Sequence, residues 1–198
     1  MKRSSKRDEL VETARGLFYE KGILATGIDT ILAESGVAKM TLYKHFRSKD
    51  DLILAVLRDN EARWREWFRT EVERRASTPK EQLIAVFEVL AAWVNGKDFR
   101  GCLLFNAVAE CRGLDLRIQG VELELRQGRR LFLESLAAAA GVQDPTLLVS
   151  QLSLLIEGTI SMTLIHRDPQ HAATACTTAA LLIRDATARP KRRPTKSA

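Results

Sequence analysis

Apolar residues recur at a helical period along almost the whole of this chain, and its five prolines fall only where such stretches begin, end or give way to a tail. Pro145 and Pro169 stand where helices should start; Pro79, Pro190 and Pro194 lie at pattern edges or in the C-terminal tail. No stretch alternates with the period of two that a half-buried strand requires, so the chain is all-α. The spacing predicts a first helix over about Asp8–Glu20, with Leu10, Val11, Ala14, Leu17 and Phe18 on one stripe and Lys21-Gly22 as its stop. A second helix should start near Thr26, whose hydroxyl can cap it with Asp29 three residues on, and bury Ile28, Ile31 and Leu32. It should end at Ser35-Gly36, ahead of a short helix over about Lys39–Phe46 whose inward pair is Leu42 and Phe46. Ser48 is a cap candidate for a long fourth helix carrying Leu52, Ile53, Val56, Leu57, Trp64, Trp67 and Phe68. Five more helices are expected over about 80–95, 102–112, 115–140, 146–166 and 170–187.

Composition narrows the class. The chain has 198 residues, 45% apolar and 28% charged, ordinary for a globular protein. Unbroken apolar runs, such as Leu136–Ala140, fall far short of the ~20 residues of a spanning helix, so no membrane association is expected. The basic N-terminus is not followed by an apolar segment of the kind a secretory signal needs. Three cysteines, Cys102, Cys111 and Cys176, lack paired spacing and fit a reducing cytoplasm, and His45, His166 and His171 lack metal-ligand spacing, so neither metal nor cofactor is expected. The net charge of +6 is concentrated at the ends: residues 1–7 carry +4 and residues 189–198 carry +5 with no acid, which leaves residues 8–188 at −3. The tail from 189 reads as disordered.

Two short helices joined by a glycine turn make a helix-turn-helix, in which the first braces the second so that its outer face can enter the DNA major groove. The positions that Leu42 and Phe46 leave free are Lys39, Met40, Thr41, Tyr43, Lys44 and His45. Cations and hydroxyls suit phosphates, and shaped side chains suit base edges. Lys49 opens the fourth helix, where its charge adds to the helix dipole. By spacing alone, a solvated helix face with ordinary lysines would look the same.

The run Gly36-Val37-Ala38-Lys39-Met40-Thr41-Leu42-Tyr43-Lys44-His45-Phe46-Arg47-Ser48-Lys49-Asp50-Asp51-Leu52 resembles the TetR family of bacterial transcriptional regulators, whose pattern is G-V-S-x-x-T/S-L-Y-x-H-F-x-S/N-K-x-x-L. The resemblance extends to the first helix, Lys21-Gly22, Thr26 and the apolar positions of the second helix. It implies that Thr41, Tyr43, His45 and Lys49 hold phosphates and that Lys39, Met40 and Lys44 face bases. Two positions depart from the family. Ala38 replaces a frequent Ser cap, and Asp29 stands where many members have Arg, so it is expected to cap rather than to contact DNA.

The resemblance further implies a DNA-binding domain over 1–50, a helical effector-binding and dimerisation domain over 51–188, and a homodimer in the bacterial cytoplasm at the nucleoid. Its partners would be a double-stranded operator and a small-molecule effector. Candidate pocket residues are Trp64, Trp67, Phe68, Phe87, Trp93, Phe105, Asn106 and Glu110. Aromatics at this spacing equally make plain core, and Asn106 and Glu110, which share a face, could equally bond backbone. Residues 100–110 resemble a G-C-x-x-x-N-x-x-x-E helix start found in one group of the family. The helix after Pro145 has two apolar faces: Leu148, Leu152, Leu155, Thr159 and Met162 on one; Leu147, Leu154, Ser161 and Leu164 on the other. With the small residues of the last helix, the candidate dimer residues are Leu147, Leu154, Gly158, Ser161, Ala173 and Ala180. Three rivals stand against a ligand-released repressor. One is an enzyme using Cys102 or Cys111 with His166 or His171, and the others are a redox sensor through Cys102 and an architectural DNA binder without a ligand.

If the lysines and both tails neutralise phosphates, binding should weaken steeply with salt. Deleting residues 190–198 should lower affinity for all duplexes alike, because a disordered basic tail cannot read bases. Titrations of selected and random duplexes over a salt series check this, and a truncation that changed sequence preference would contradict it.

Overall fold

The structure, a computed structural model, describes residues 5–111 and 116–188. Residues 1–4 of the basic N-terminal segment and the basic tail at 189–198 lie outside the described residues, whereas Lys6 and Arg7 belong to α1. Among the described residues there are nine helices and no strand: α1 (Lys6–Lys21), α2 (Ile28–Ser35), α3 (Lys39–His45), α4 (Lys49–Arg75), α5 (Pro79–Val94), α6 (Leu103–Glu110), α7 (Leu116–Ala139), α8 (Pro145–His166) and α9 (Gln170–Ala186). The chain divides into two compact units, one from Met1–Glu71 with Gly96–Arg129, the other from Val72–Asn95 with Arg130–Ala198.

In the first unit α1 packs on α2 and α3. Ser5 and Asp8 close a capping box at the start of α1. The bond from Ser5 holds the Asp8 carboxyl below its ordinary range. Leu10, Val11, Ala14, Leu17 and Phe18 are buried as the stripe predicts. Gly36 ends α2 in the left-handed region, φ 63°, and its amide donates to the Leu32 carbonyl. The reading of Thr26 as the α2 cap is overturned: the cap is Gly27, with no side-chain bond. Fully buried Thr26 instead donates to the Gly22 carbonyl at 2.7 Å, closing the α1–α2 turn. Asp29 is no cap either; its charge lies in the first turn of α2 and its carboxylate stands 3.9 Å from the Lys39 ammonium. Ser48 caps α4 as expected, accepting from the Asp51 amide at 3.1 Å.

In the second unit α5, α8 and α9 pack on one another. Thr78 and Glu81 form a second capping box ahead of α5, with Pro79 in the first turn. The Asp144 carboxylate accepts from the Leu147 amide at the start of α8. Leu148, Val149, Leu152, Thr159, Ile160 and Thr163 form the buried face of α8. Met162, placed by spacing on that face, is 43% exposed and belongs to the other one. By length and composition α8 is apolar enough to cross a membrane. The run-length criterion misses this because Ser150, Gln151, Ser153 and Glu157 interrupt the run without lowering its average far.

A Cβ at Gly36 would meet nothing within 4 Å, so the cost of Gly36→Ala is backbone strain alone, about 1–2 kcal/mol. Denaturant unfolding should show that loss with an unchanged slope. No loss would mean that the turn relaxes out of the left-handed region.

Candidate nucleic-acid interface

α3 is seven residues long, and its N-cap, Ala38, makes no side-chain bond. So short a helix does not hold itself in water. Leu42 and Phe46, both buried, hold it to the unit, and the Phe46 amide closes its end on the Leu42 carbonyl at 2.8 Å. The opposite face is open. Lys39, Met40, Tyr43, Lys44 and His45 are exposed and Thr41 is half-buried; Met40 is 82% exposed. The structure therefore brings the six α3 candidates onto one solvent-facing surface. No acid lies on α3 itself, and the Lys39–Asp29 pair is too long and too exposed to hold the ammonium.

Lys49 is tied in a way the sequence did not reveal. Its ammonium donates to the Ile23 carbonyl at 2.7 Å, which leaves two of its three protons for another acceptor. Arg7, counted in the sequence only within the basic N-terminal segment, has a defined place: its guanidinium lies over the Phe46 ring, 5.6 Å from the centroid, beside the end of α3. Only tertiary packing brings residues 7 and 46 together, so no local pattern announces it.

The pocket candidates separate. Trp64 stacks on Phe68 with centroids 4.6 Å apart, and Trp67 meets Phe68 edge-on. One turn earlier on α4, Glu61 belongs to an ion pair absent from the sequence reading. Glu61 is 3% exposed and its carboxylate lies 3.5 Å from Arg129 Nε, while Arg129 covers the Phe105 ring. Burial pushes the Glu61 carboxyl up, against the pull of Arg129 and Arg65. A signal existed: Glu61 stands in the register of Leu54, Leu57, Trp64 and Phe68, and Arg129 in that of Ile118, Val121, Leu133 and Leu136. Asn106 and Glu110 both bond backbone, on Arg100 and Leu24 respectively. Phe87 and Trp93 lie on α5 in the second unit, where Phe87 is packed core whose carbonyl accepts from the Cys176 thiol. Burial pushes the Cys102 thiol up, the opposite of what an activated nucleophile needs. Of the candidate dimer residues, Leu147, Leu154, Gly158, Ser161 and Ala173 are exposed and Ala180 is half-buried.

A braced short helix with an open face and no acid of its own defines a helix-turn-helix DNA-binding protein. The family profile for bacterial regulatory proteins of the tetR family matches residues 10–56. A TetR-family transcriptional regulator of Streptomyces coelicolor is 30% identical, superposes with a TM-score of 0.80, and is matched over 92% of this chain and 96% of its own. The chain belongs to the TetR family of transcriptional regulators. Among curated relatives, the KstR2 repressor of Mycolicibacterium smegmatis is 32% identical over 87 residues, 42% of this chain and 40% of that protein. The FasR activator of the same organism is 44% identical over 55 residues, 28% of this chain and 25% of that protein. The match thus spans less than half the length of these curated relatives.

The open face predicts a sharp contrast in stability. Tyr43→Phe and Lys44→Ala should stay within about 0.5 kcal/mol of the parent, whereas Leu42→Ala should cost about 2–5 kcal/mol. Equilibrium unfolding measures all three. A loss above 1 kcal/mol for Tyr43→Phe would show that the face is built into the fold.

Proposed function

We propose that this regulator is a ligand-responsive repressor that binds a palindromic operator as a homodimer and is released by a small, largely apolar effector. Residues 1–50 read DNA, residues 51–188 bind the effector and dimerise, and the basic tail at 189–198 adds sequence-independent phosphate contacts. The observation that carries the reading is the open α3 face: Thr41, Tyr43, His45 and Lys49 fix the helix on phosphates, and Lys39, Met40 and Lys44 address bases. A dimer is supported by the second face of α8, where Leu154 is 74% exposed in line with Leu147, Met162 and Ile165. Two-fold symmetry then matches two half-sites of a palindrome. An apolar effector is supported by the Trp64–Phe68 stack. Lys49 and Phe68 are joined by one helix, and the 15–19 residues from Lys49 to Trp64 and Phe68 make a rod of roughly 22–28 Å. An effector that tilted the rod would change the separation of two DNA-reading heads, and DNA and effector would weaken each other equally. With these partners the protein works in the cytoplasm.

The test starts with a duplex selected by the protein from a random pool. Leu154→Glu should yield a monomer by sedimentation and lose the selected duplex while keeping its helical spectrum. Lys44→Ala should relax preference at one base position per half-site, by about 1–3 kcal/mol. Compounds found to release the parent protein should lose potency with Trp64→Ala or Trp67→Ala, at unchanged affinity without compound. A monomeric parent, or equal Lys44→Ala losses on selected and random duplexes, would count against the respective part of the reading.

A further inference from the structure

Four polar groups of the turn between α1 and α2 are engaged from four directions. The Gly22 amide donates to Phe18 in α1 at 3.0 Å. The Gly22 carbonyl accepts from Thr26 ahead of α2, and the Ile23 carbonyl accepts from Lys49 at the head of α4. The Leu24 amide donates to Glu110 Oε2, at the end of α6, at 3.0 Å. The turn is shaped to receive that carboxylate. Gly22 has φ +90°, and a Cβ there would stand 3.1 Å from Oε2 and 3.3 Å from Oε1 of Glu110. The other end of α6 is tied to α1 as well: Asn106 donates to the Arg100 carbonyl, and the Arg100 amide donates to the Tyr19 hydroxyl at 2.9 Å.

We propose that Glu110 is a positioning residue for DNA recognition, holding through the Leu24 amide the turn on which both α2 and the Lys49 ammonium are anchored. The pair is distant in sequence, 86 residues apart, and a backbone bond is the alternative that the sequence left open to Glu110 beside a pocket role. The bond that Glu110 makes is to the turn and not to α3. It acts through the turn: a displaced Ile23 carbonyl releases Lys49, and a displaced Thr26 moves the start of the bracing helix. A hydrogen bond to a charged acceptor is strong enough to hold such a turn in one geometry. The proposal rests on the family's DNA binding and not on the effector.

The experiment compares the full-length parent with Glu110→Ala, Glu110→Met and Glu110→Gln on a duplex selected by the parent and on a random duplex at the same salt. Ala and Met remove the acceptor, Met keeping the length; Gln retains an acceptor carbonyl. Ala and Met should lower affinity for the selected duplex about tenfold or more, leave the random duplex within about twofold, and speed hydrogen exchange at the Leu24 amide. Gln should restore most of the loss. Three variants that bind like the parent would overturn the proposal. So would Gln as poor as Ala, or losses equal on both duplexes with a lowered melting temperature, the mark of a role in folding alone. A parent that selects no duplex would overturn the DNA-binding reading, and the proposal with it.

Discussion

Much in the first unit follows from one constraint: α3, the helix with the open face, is too short to exist by itself. Seven residues with no side-chain cap lie well below the length at which propagation repays nucleation. The helix is made by what lies behind it, Leu42 and Phe46 packed into the α1–α3 core, and by the geometry of the chain on either side. That is why the turn at Gly36 must enter the left-handed region, why Ser48 must cap α4 at once, and why Arg7 reaches over Phe46. Stability is supplied from one face so that the other is free of structural duty. A recognition face carrying its own stabilising pairs would have to break them to bind.

The same division explains the two kinds of charge in this unit. Surface pairs such as Lys6–Glu9 and Arg63–Asp59 sit in high dielectric and contribute little. Glu61 and Arg129 are different, because a buried pair at 3.5 Å recovers only part of the cost of leaving water. Apolar side chains in those two helix registers would pack as well or better. A carboxylate and a guanidinium, the latter over the Phe105 ring, instead place directional groups in an apolar surround, which the proposed effector site would need.

The fold class and the helices were legible because helical periodicity is a local property. Boundaries agreed within one or two residues wherever a cap or a glycine stop was present, as at Ser48 and Gly36. The open face of α3 was legible for a related reason: once Leu42 and Phe46 are inward, geometry assigns every other α3 position outward. What the pattern did not disclose were partners that lie outside the helix register of the side chain. Thr26 has the chemistry of a cap, but its hydroxyl turns back to the Gly22 carbonyl instead. Glu110 shares a face with Asn106, yet its target is the amide of residue 24. Lys49 was read as a phosphate ligand from its place in a motif, and no motif discloses that the Ile23 carbonyl already takes one of its protons. Glu61 stood in plain register with apolar neighbours, a signal overlooked because charged residues are read by default as surface.

The second unit poses the reverse problem, a helix with more apolar surface than its own chain covers. α8 reads by average composition as a membrane span, yet its exposed stripe is mixed. Leu147, Leu154, Met162 and Ile165 alternate with Gln151, Glu157, Gly158 and Ser161. Glu157 stands near the middle of the helix, where lipid would impose its greatest cost on a charge. A protein partner imposes no such cost, since a carboxylate at the rim stays wet while leucines at the centre are covered. Small residues between the large ones let a second helix approach closely. A helix apolar on two faces but punctuated by glycine, serine and one carboxylate therefore fits burial between two protein surfaces. This is the ground for the proposed homodimer: in a two-fold contact each leucine would fall beside the partner's small residues, and one stripe would serve as both surfaces.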